Sequence, residues 1–184
     1  MALSGSFENA MASTAPGSGY ILRVVWNATH NVENNTSTIV CDFYLVQKPR
    51  CDIDISVRNN NTCVIDGVTL SWSSPAIDNT DTKVPDGAVT KIGSCSHVVK
   101  HNDDGSKSLT IKARYAVYPL DLDIRYSEIV ATANITLDPI LRGLVHIDTG
   151  SGFVKAIPYI DDGTEWKRCI PYVDDGSAFK MCSG

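Results

Sequence analysis

The chain lacks most of the short patterns by which enzymes announce themselves. It has six cysteines, Cys41, Cys51, Cys63, Cys95, Cys169 and Cys182. No two of them have the C-x-x-C spacing of a zinc knuckle or a thioredoxin-like site. There is no G-x-S-x-G elbow, no phosphate loop and no glycine-rich dinucleotide fingerprint. The four histidines, His30, His97, His101 and His146, show no H-x-x-x-H or H-E-x-x-H spacing. They read as surface or turn residues, not as metal or acid–base groups. No apolar run approaches the roughly 18–20 residues of a membrane helix. Met1–Gly19 has neither a basic start nor an apolar stretch, so no Sec signal is expected. Thiols made in a reducing cytoplasm are then expected to stay free. A net charge of −5 argues against a generic nucleic-acid surface, which is usually basic. Helical periodicity is missing too.

What the chain does have is alternation. In its 184 residues 43% are hydrophobic, enough to bury a core. Tyr20, Leu22, Val24 and Trp26 fall on one face of a strand, and Ile39, Cys41, Phe43 and Leu45 on one face of the next. Cys51, Ile53, Ile55 and Val57 are expected inward, against Asp52, Asp54, Ser56 and Arg58. Arg58–Thr62 reads as a turn. Asp66-Gly67, between β-branched runs, signals a tight hairpin, because both positions of that turn need positive φ. Ser73–Gly87 reads as a polar loop. A second hairpin is expected from Ser96–Lys100, through His101–Ser106, into Lys107–Val117. There Leu109, Ile111, Ala113, Tyr115 and Val117 share a face. Tyr126–Leu137 is the last long strand. The expected architecture is all-β: an antiparallel β-sandwich or jelly roll over residues 20–138. Residues 1–19 form a flexible or extended lead-in without a packing face. Asp121 and Asp123, a pair that glycoside hydrolysis could use, read as a solvated strand end.

Residues 144–184 hold one short sentence written three times. Asp148-Thr149-Gly150, Asp161-Asp162-Gly163 and Asp174-Asp175-Gly176 recur every 13 residues. Each is followed by an aromatic: Phe153, Trp166 or Phe179. Pro158-Tyr159 and Pro171-Tyr172 join the units. Each unit reads as a small β-hairpin, and tandem hairpins suit stacking or binding more than catalysis. The Asp-Asp-Gly runs read as turns, where Asp and Gly tolerate positive φ, in preference to a Ca²⁺ loop. Phe153, Tyr159, Trp166, Tyr172 and Phe179 are the candidate ligand- or partner-binding residues. Packing or subunit contact is favoured over sugar stacking, because a small module places its aromatics where burial is greatest. No catalytic residue, metal ligand or cofactor is expected.

Several segments carry a resemblance. Met1-Ala2-Leu3-Ser4-Gly5, and then Gly19-Tyr20-Ile21-Leu22-Arg23-Val24-Val25-Trp26-Asn27-Ala28-Thr29, is similar to the opening of a family of tailed-phage (siphophage) minor structural, tail-fibre-related proteins. Asn35-Thr36-Ser37-Thr38 to Tyr44-Leu45-Val46 and the hairpin Ile65-Asp66-Gly67 match further family segments. The most specific match is His101-Asn102-Asp103-Asp104-Gly105-Ser106-Lys107-Ser108-Leu109-Thr110-Ile111. The resemblance covers roughly Met1–Leu137. Where family members usually continue into fibre-like domains, this chain passes into the aromatic repeat. That repeat resembles the I-D-N-G-S-x-W-x-x-Y-x-P-Y tails of various phage structural proteins. The resemblance implies a non-enzymatic virion component, made in the bacterial cytoplasm and associated with the tail or tail fibre. Its implied partners are other virion proteins and further copies of itself. A capsid decoration or head-fibre role, or adsorption to a host-surface glycan, is the alternative.

Overall fold

The computed structural model describes residues 2–10, 20–47, 54–78, 88–116, 128–140, 145–174, 176–177 and 179–181. Cys51, Ile53, Cys182, Asp121, Asp123, Val117 and residues 79–87 of the expected Ser73–Gly87 loop lie outside them. The described part of that segment is not all loop, since Ser73–Ser74 and Ile77–Asp78 are strand and Ile77 is buried. The described residues are all strand, turn and loop. The first ten strands are β1 (Ser4–Ala10), β2 (Tyr20–Asn31), β3 (Thr36–Gln47), β4 (Asp54–Ile55), β5 (Arg58–Ile65), β6 (Val68–Ser74), β7 (Ile77–Asp78), β8 (Val89–Lys100), β9 (Ser108–Ala116) and β10 (Glu128–Thr136). Eight of them make two four-stranded sheets, ordered β1-β2-β3-β8 and β10-β9-β5-β6, and β4 pairs with β7. The sheets are antiparallel and pack face to face as a sandwich.

Alternation explains why the sheets meet where they do. Leu22, Val24, Ile39, Cys41 and Phe43 of one sheet, and Cys63, Ile65, Ile111, Ala113 and Tyr115 of the other, are completely buried. The outward residues between them stay wet, as period-two strands require. Across the core the rings of Phe43 and Trp72 stack at 4.3 Å, and Trp72 stacks on Tyr115 at 5.8 Å. Gly93 of β8 makes room for this ladder, since a Cβ there would lie 2.5 Å from the Trp72 ring. At the β5–β6 turn Asp66 and Gly67 have φ of 52° and 82°. This is the doubly positive geometry of the expected hairpin.

Four local expectations are corrected. The lead-in does have a packing face: β1 pairs antiparallel with β2 from Ser4↔Asn27 to Ala10↔Ile21, and Phe7 packs against the core. One aromatic among small polar residues was too weak a pattern to read. The Asn9 amide also donates to the Val130 carbonyl at 2.7 Å, and Ala2 bridges to Leu137. These contacts tie the edge strand β1 to the edge strand β10 of the other sheet. Second, Val57 is 55% exposed, because it falls in the break between β4 and β5. Third, Arg58–Thr62 is not a turn but the start of β5, carrying a register shift between Arg58 and Asn61. The buried Asn61 side chain completes the ladder there: it donates to Arg58 O at 3.2 Å and accepts from Ala116 N at 2.9 Å. Fourth, β8 and β9 are not a hairpin. β8 begins at Val89 and lies in one sheet, while β9 lies in the other, so His101–Ser106 arches between sheets.

By its contacts the chain divides into two units. One comprises Met1–Thr29, Thr38–Val99 and Ser108–Leu137, and the other His30–Ser37, Lys100–Lys107 and Asp138–Gly184. The second unit holds six short strands: β11 (Val145–Asp148), β12 (Phe153–Ala156), β13 (Tyr159–Asp161), β14 (Trp166–Arg168), β15 (Tyr172–Asp174) and β16 (Phe179–Met181). They pair two by two in sequence order.

Candidate functional site

The three terminal pairs share one backbone plan. Asp148 faces Phe153, Asp161 faces Trp166 and Asp174 faces Phe179 across a four-residue connection. In each, the carboxylate of that Asp accepts the N–H of the Gly two residues on: Gly150 at 2.8 Å, Gly163 at 2.9 Å and Gly176 at 2.9 Å. These glycines have φ of 78°, 88° and 82°. The side chain thus mimics a backbone turn, and Gly takes the left-handed position that follows. Asp162 adds a further layer in the middle hairpin. Its Oδ1 accepts from Thr164 N at 2.9 Å and Glu165 N at 3.1 Å, and Lys167 Nζ lies 2.5 Å from Oδ2. The Lys167 ammonium and then the Thr164 bonds hold this carboxyl well below the usual range. The acidic runs are therefore occupied in shaping turns.

The candidate binding residues are distributed along this plan. Tyr159 opens β13, Trp166 opens β14 and Tyr172 opens β15, while Phe153 and Phe179 open β12 and β16. Trp166 is 69% exposed, Tyr172 55% and Tyr159 54%. Register puts Tyr159, Asp161 and Trp166 on one face of the middle hairpin, with Ile160 and Lys167 on the other. Ile160 and Ile147 are exposed as well. Of the two arrangements favoured for these aromatics, packing between hairpins of this chain leaves Tyr159, Trp166 and Tyr172 largely uncovered, and contact with another subunit remains the other. A hairpin of this size has no interior of its own, so its rings face outward unless something else covers them.

A polar knot is the second constellation, and sequence spacing gave no sign of it. His101 is buried and reaches Ser37 Oγ with Nε2 at 2.6 Å and the Gly105 carbonyl with Nδ1 at 2.7 Å. A carbonyl only accepts, so Nδ1 carries the proton and Nε2 accepts from Ser37. His30 Nδ1 lies 2.7 Å from the same hydroxyl. The Asn35 amide donates to His101 O and Asn102 O, at 3.3 and 2.8 Å, from a backbone with φ of 54°. Burial, reinforced by His30 and Lys107 and opposed by the Gly105 bond, holds His101 below the ordinary imidazole range. A serine beside a histidine invites comparison with a nucleophile pair. Here Ser37 is wholly buried, and a backbone carbonyl stands where a triad would place its carboxylate. The knot ties the His30–Ser37 segment to the Lys100–Lys107 segment.

The third constellation is a group of thiols. Cys41 of β3, Cys63 of β5 and Cys95 of β8 bring their sulfurs within 4.8 Å of one another. Cys41 and Cys63 are completely buried and Cys95 is partly exposed. The Cys41 thiol, then the Cys63 thiol, stabilise a thiolate on Cys95 and pull it down to about 4 against the cost of burial. Cys63 is pushed up by its bonds to Cys41 and Cys95 and by burial. Spacing could not reveal this group, because its members sit on three strands of two sheets.

A scan against protein-family models, a search of curated proteins and a search of solved structures each found no match for the chain. No helix of the described residues is long and apolar enough to cross a membrane.

Proposed function

We propose that this protein is a non-enzymatic structural component of a tailed-phage virion, associated with the tail or tail fibre. Its sandwich surfaces and terminal hairpins would make the assembly contacts, and symmetric copies would share them. The class rests on the sequence resemblance of Met1–Leu137. One observation supports the assembly role: Tyr159, Trp166 and Tyr172 stand exposed on small hairpins, and Ile147 and Ile160 on the same hairpins are exposed as well. Exposed apolar groups of this kind mark contact surfaces. Purified particles provide the test. Mass spectrometry is expected to find the chain in them, and cryo-EM to place it on the tail. Placement on the capsid would favour a decoration or head-fibre role instead. Presence in infected-cell lysate but never in particles would end the virion reading.

The same exposure favours a second reading, a module that adsorbs the particle to a host-surface glycan. Trp166 offers a flat ring suited to the C–H face of a pyranose, with Asp161 on its side of the hairpin. Sedimentation with host cell walls tests it. Binding that Trp166→Ala abolishes supports the reading, and binding that survives the change removes Trp166 from it.

A further inference from the structure

Three sulfurs from three strands converge inside the sandwich, and packing alone does not ask for that. A small apolar volume at positions 41, 63 and 95 would be filled as well by Ala or Val. Sulfur adds the ability to bind soft metal ions once it is deprotonated. The geometry is close to what such an ion needs. A tetrahedral zinc with Zn–S bonds of about 2.3 Å holds its sulfurs about 3.8 Å apart. From the present spacing, within 4.8 Å, each sulfur would move inward by roughly 0.6 Å at most. Small adjustments of χ1 supply such a shift without moving the sheets.

Charge selects among soft ions. Three thiolates carry a charge of about −3, which a divalent cation reduces to −1 and a monovalent one only to −2. In a site with two fully buried ligands the divalent ion leaves the smaller charge out of water. Access is provided at Cys95, the partly exposed member on the sheet-edge strand β8. A water can complete the fourth position from that side.

We propose that Cys41, Cys63 and Cys95 form a three-thiolate site for a thiophilic divalent cation of the zinc class, with the fourth position open to solvent beside Cys95. The site does not depend on the virion reading.

The test uses the full chain, reduced and without metal, titrated with Co²⁺ under anaerobic conditions. The expected result is thiolate-to-cobalt charge-transfer absorption that saturates at one equivalent and disappears when Zn²⁺ is added. A variant with Cys51, Cys169 and Cys182 changed to Ser is expected to keep the band, and Cys95→Ala to lose it. Wild-type protein gives a readout independent of the variants' folding: Zn²⁺ should slow alkylation of Cys95, mapped by mass spectrometry, at least tenfold. The proposal is overturned if reduced, folded protein gives no charge-transfer band, or if the band is lost with Cys51, Cys169 and Cys182. It is equally overturned if Cys95 reacts at the same rate with and without Zn²⁺, or if two of the three thiols are isolated as a disulfide that excludes the ion.

Discussion

Gly105→Ala should destabilise the protein far more than Gly67→Ala, although the two glycines have nearly equal φ, 80° and 82°. At Gly67 nothing lies within 4 Å of an added Cβ, so only the left-handed backbone is penalised. That costs about 1 kcal/mol. At Gly105 the same Cβ would lie 2.0 Å from Ile140 O. This is roughly half the separation at which non-bonded atoms attract. The Ile140 segment must retreat, and two hydrogen bonds on the Gly105 carbonyl go with it: Ile140 N at 3.0 Å and His101 Nδ1 at 2.7 Å. Each is worth about 1 kcal/mol. Ile140 is 1% exposed, so its partial release adds about 1 kcal/mol more. The sum is about 4 kcal/mol against about 1. With a urea m-value of about 2 kcal/mol/M, the midpoint should fall about 2 M for Gly105→Ala and about 0.5 M for Gly67→Ala. Equal midpoints for the two variants would refute the steric account of the arch.

Asn61→Ala should cost about 1–3 kcal/mol in the same assay, because it leaves the buried Ala116 N–H without its acceptor; a change under 0.5 kcal/mol would contradict that role. Because burial depresses His101, its contribution is complete above the unfolded value of about pH 6.5 and is lost as pH falls toward the lower folded value. Urea midpoints should therefore decline below about pH 6.5 in wild type, and His101→Gln should flatten that decline. If the variant keeps the wild-type slope, another group is responsible. Trp166→Ala should move the unfolding midpoint by no more than about 0.5 kcal/mol equivalent, as its ring is mostly in water. A larger loss would place the ring in a stabilising contact.

The sandwich was legible where alternation is dense. In β9, and in β2 and β3 away from His30 and Ser37, each inward position is apolar, and the Asp66-Gly67 hairpin follows from φ alone. Legibility failed where a residue's partner is distant. The His101–Ser106 turn is correctly a turn, but nothing in it says whether the next strand joins the same sheet. Asn61 looks like turn chemistry because its amide replaces backbone bonds at a bulge, a role set by Ala116, 55 residues away. The aromatic positions of the terminal hairpins were readable from their period, whereas their exposure was not, since it depends on what lies nearby. The Cys41, Cys63 and Cys95 group was unreadable because only the pairing of two sheets brings it together.

The arch between β8 and β9 has a kinetic meaning. Because β8 joins β3 and β9 joins β5, these strands find partners formed tens of residues earlier, while each terminal pair closes over four residues. Loop-closure entropy must be met before distant pairings yield contacts, so the sandwich is expected to fold in milliseconds to seconds. Isolated hairpins form in about 1–10 μs. Each terminal pair would then close and reopen many times while the sandwich is still searching for its register.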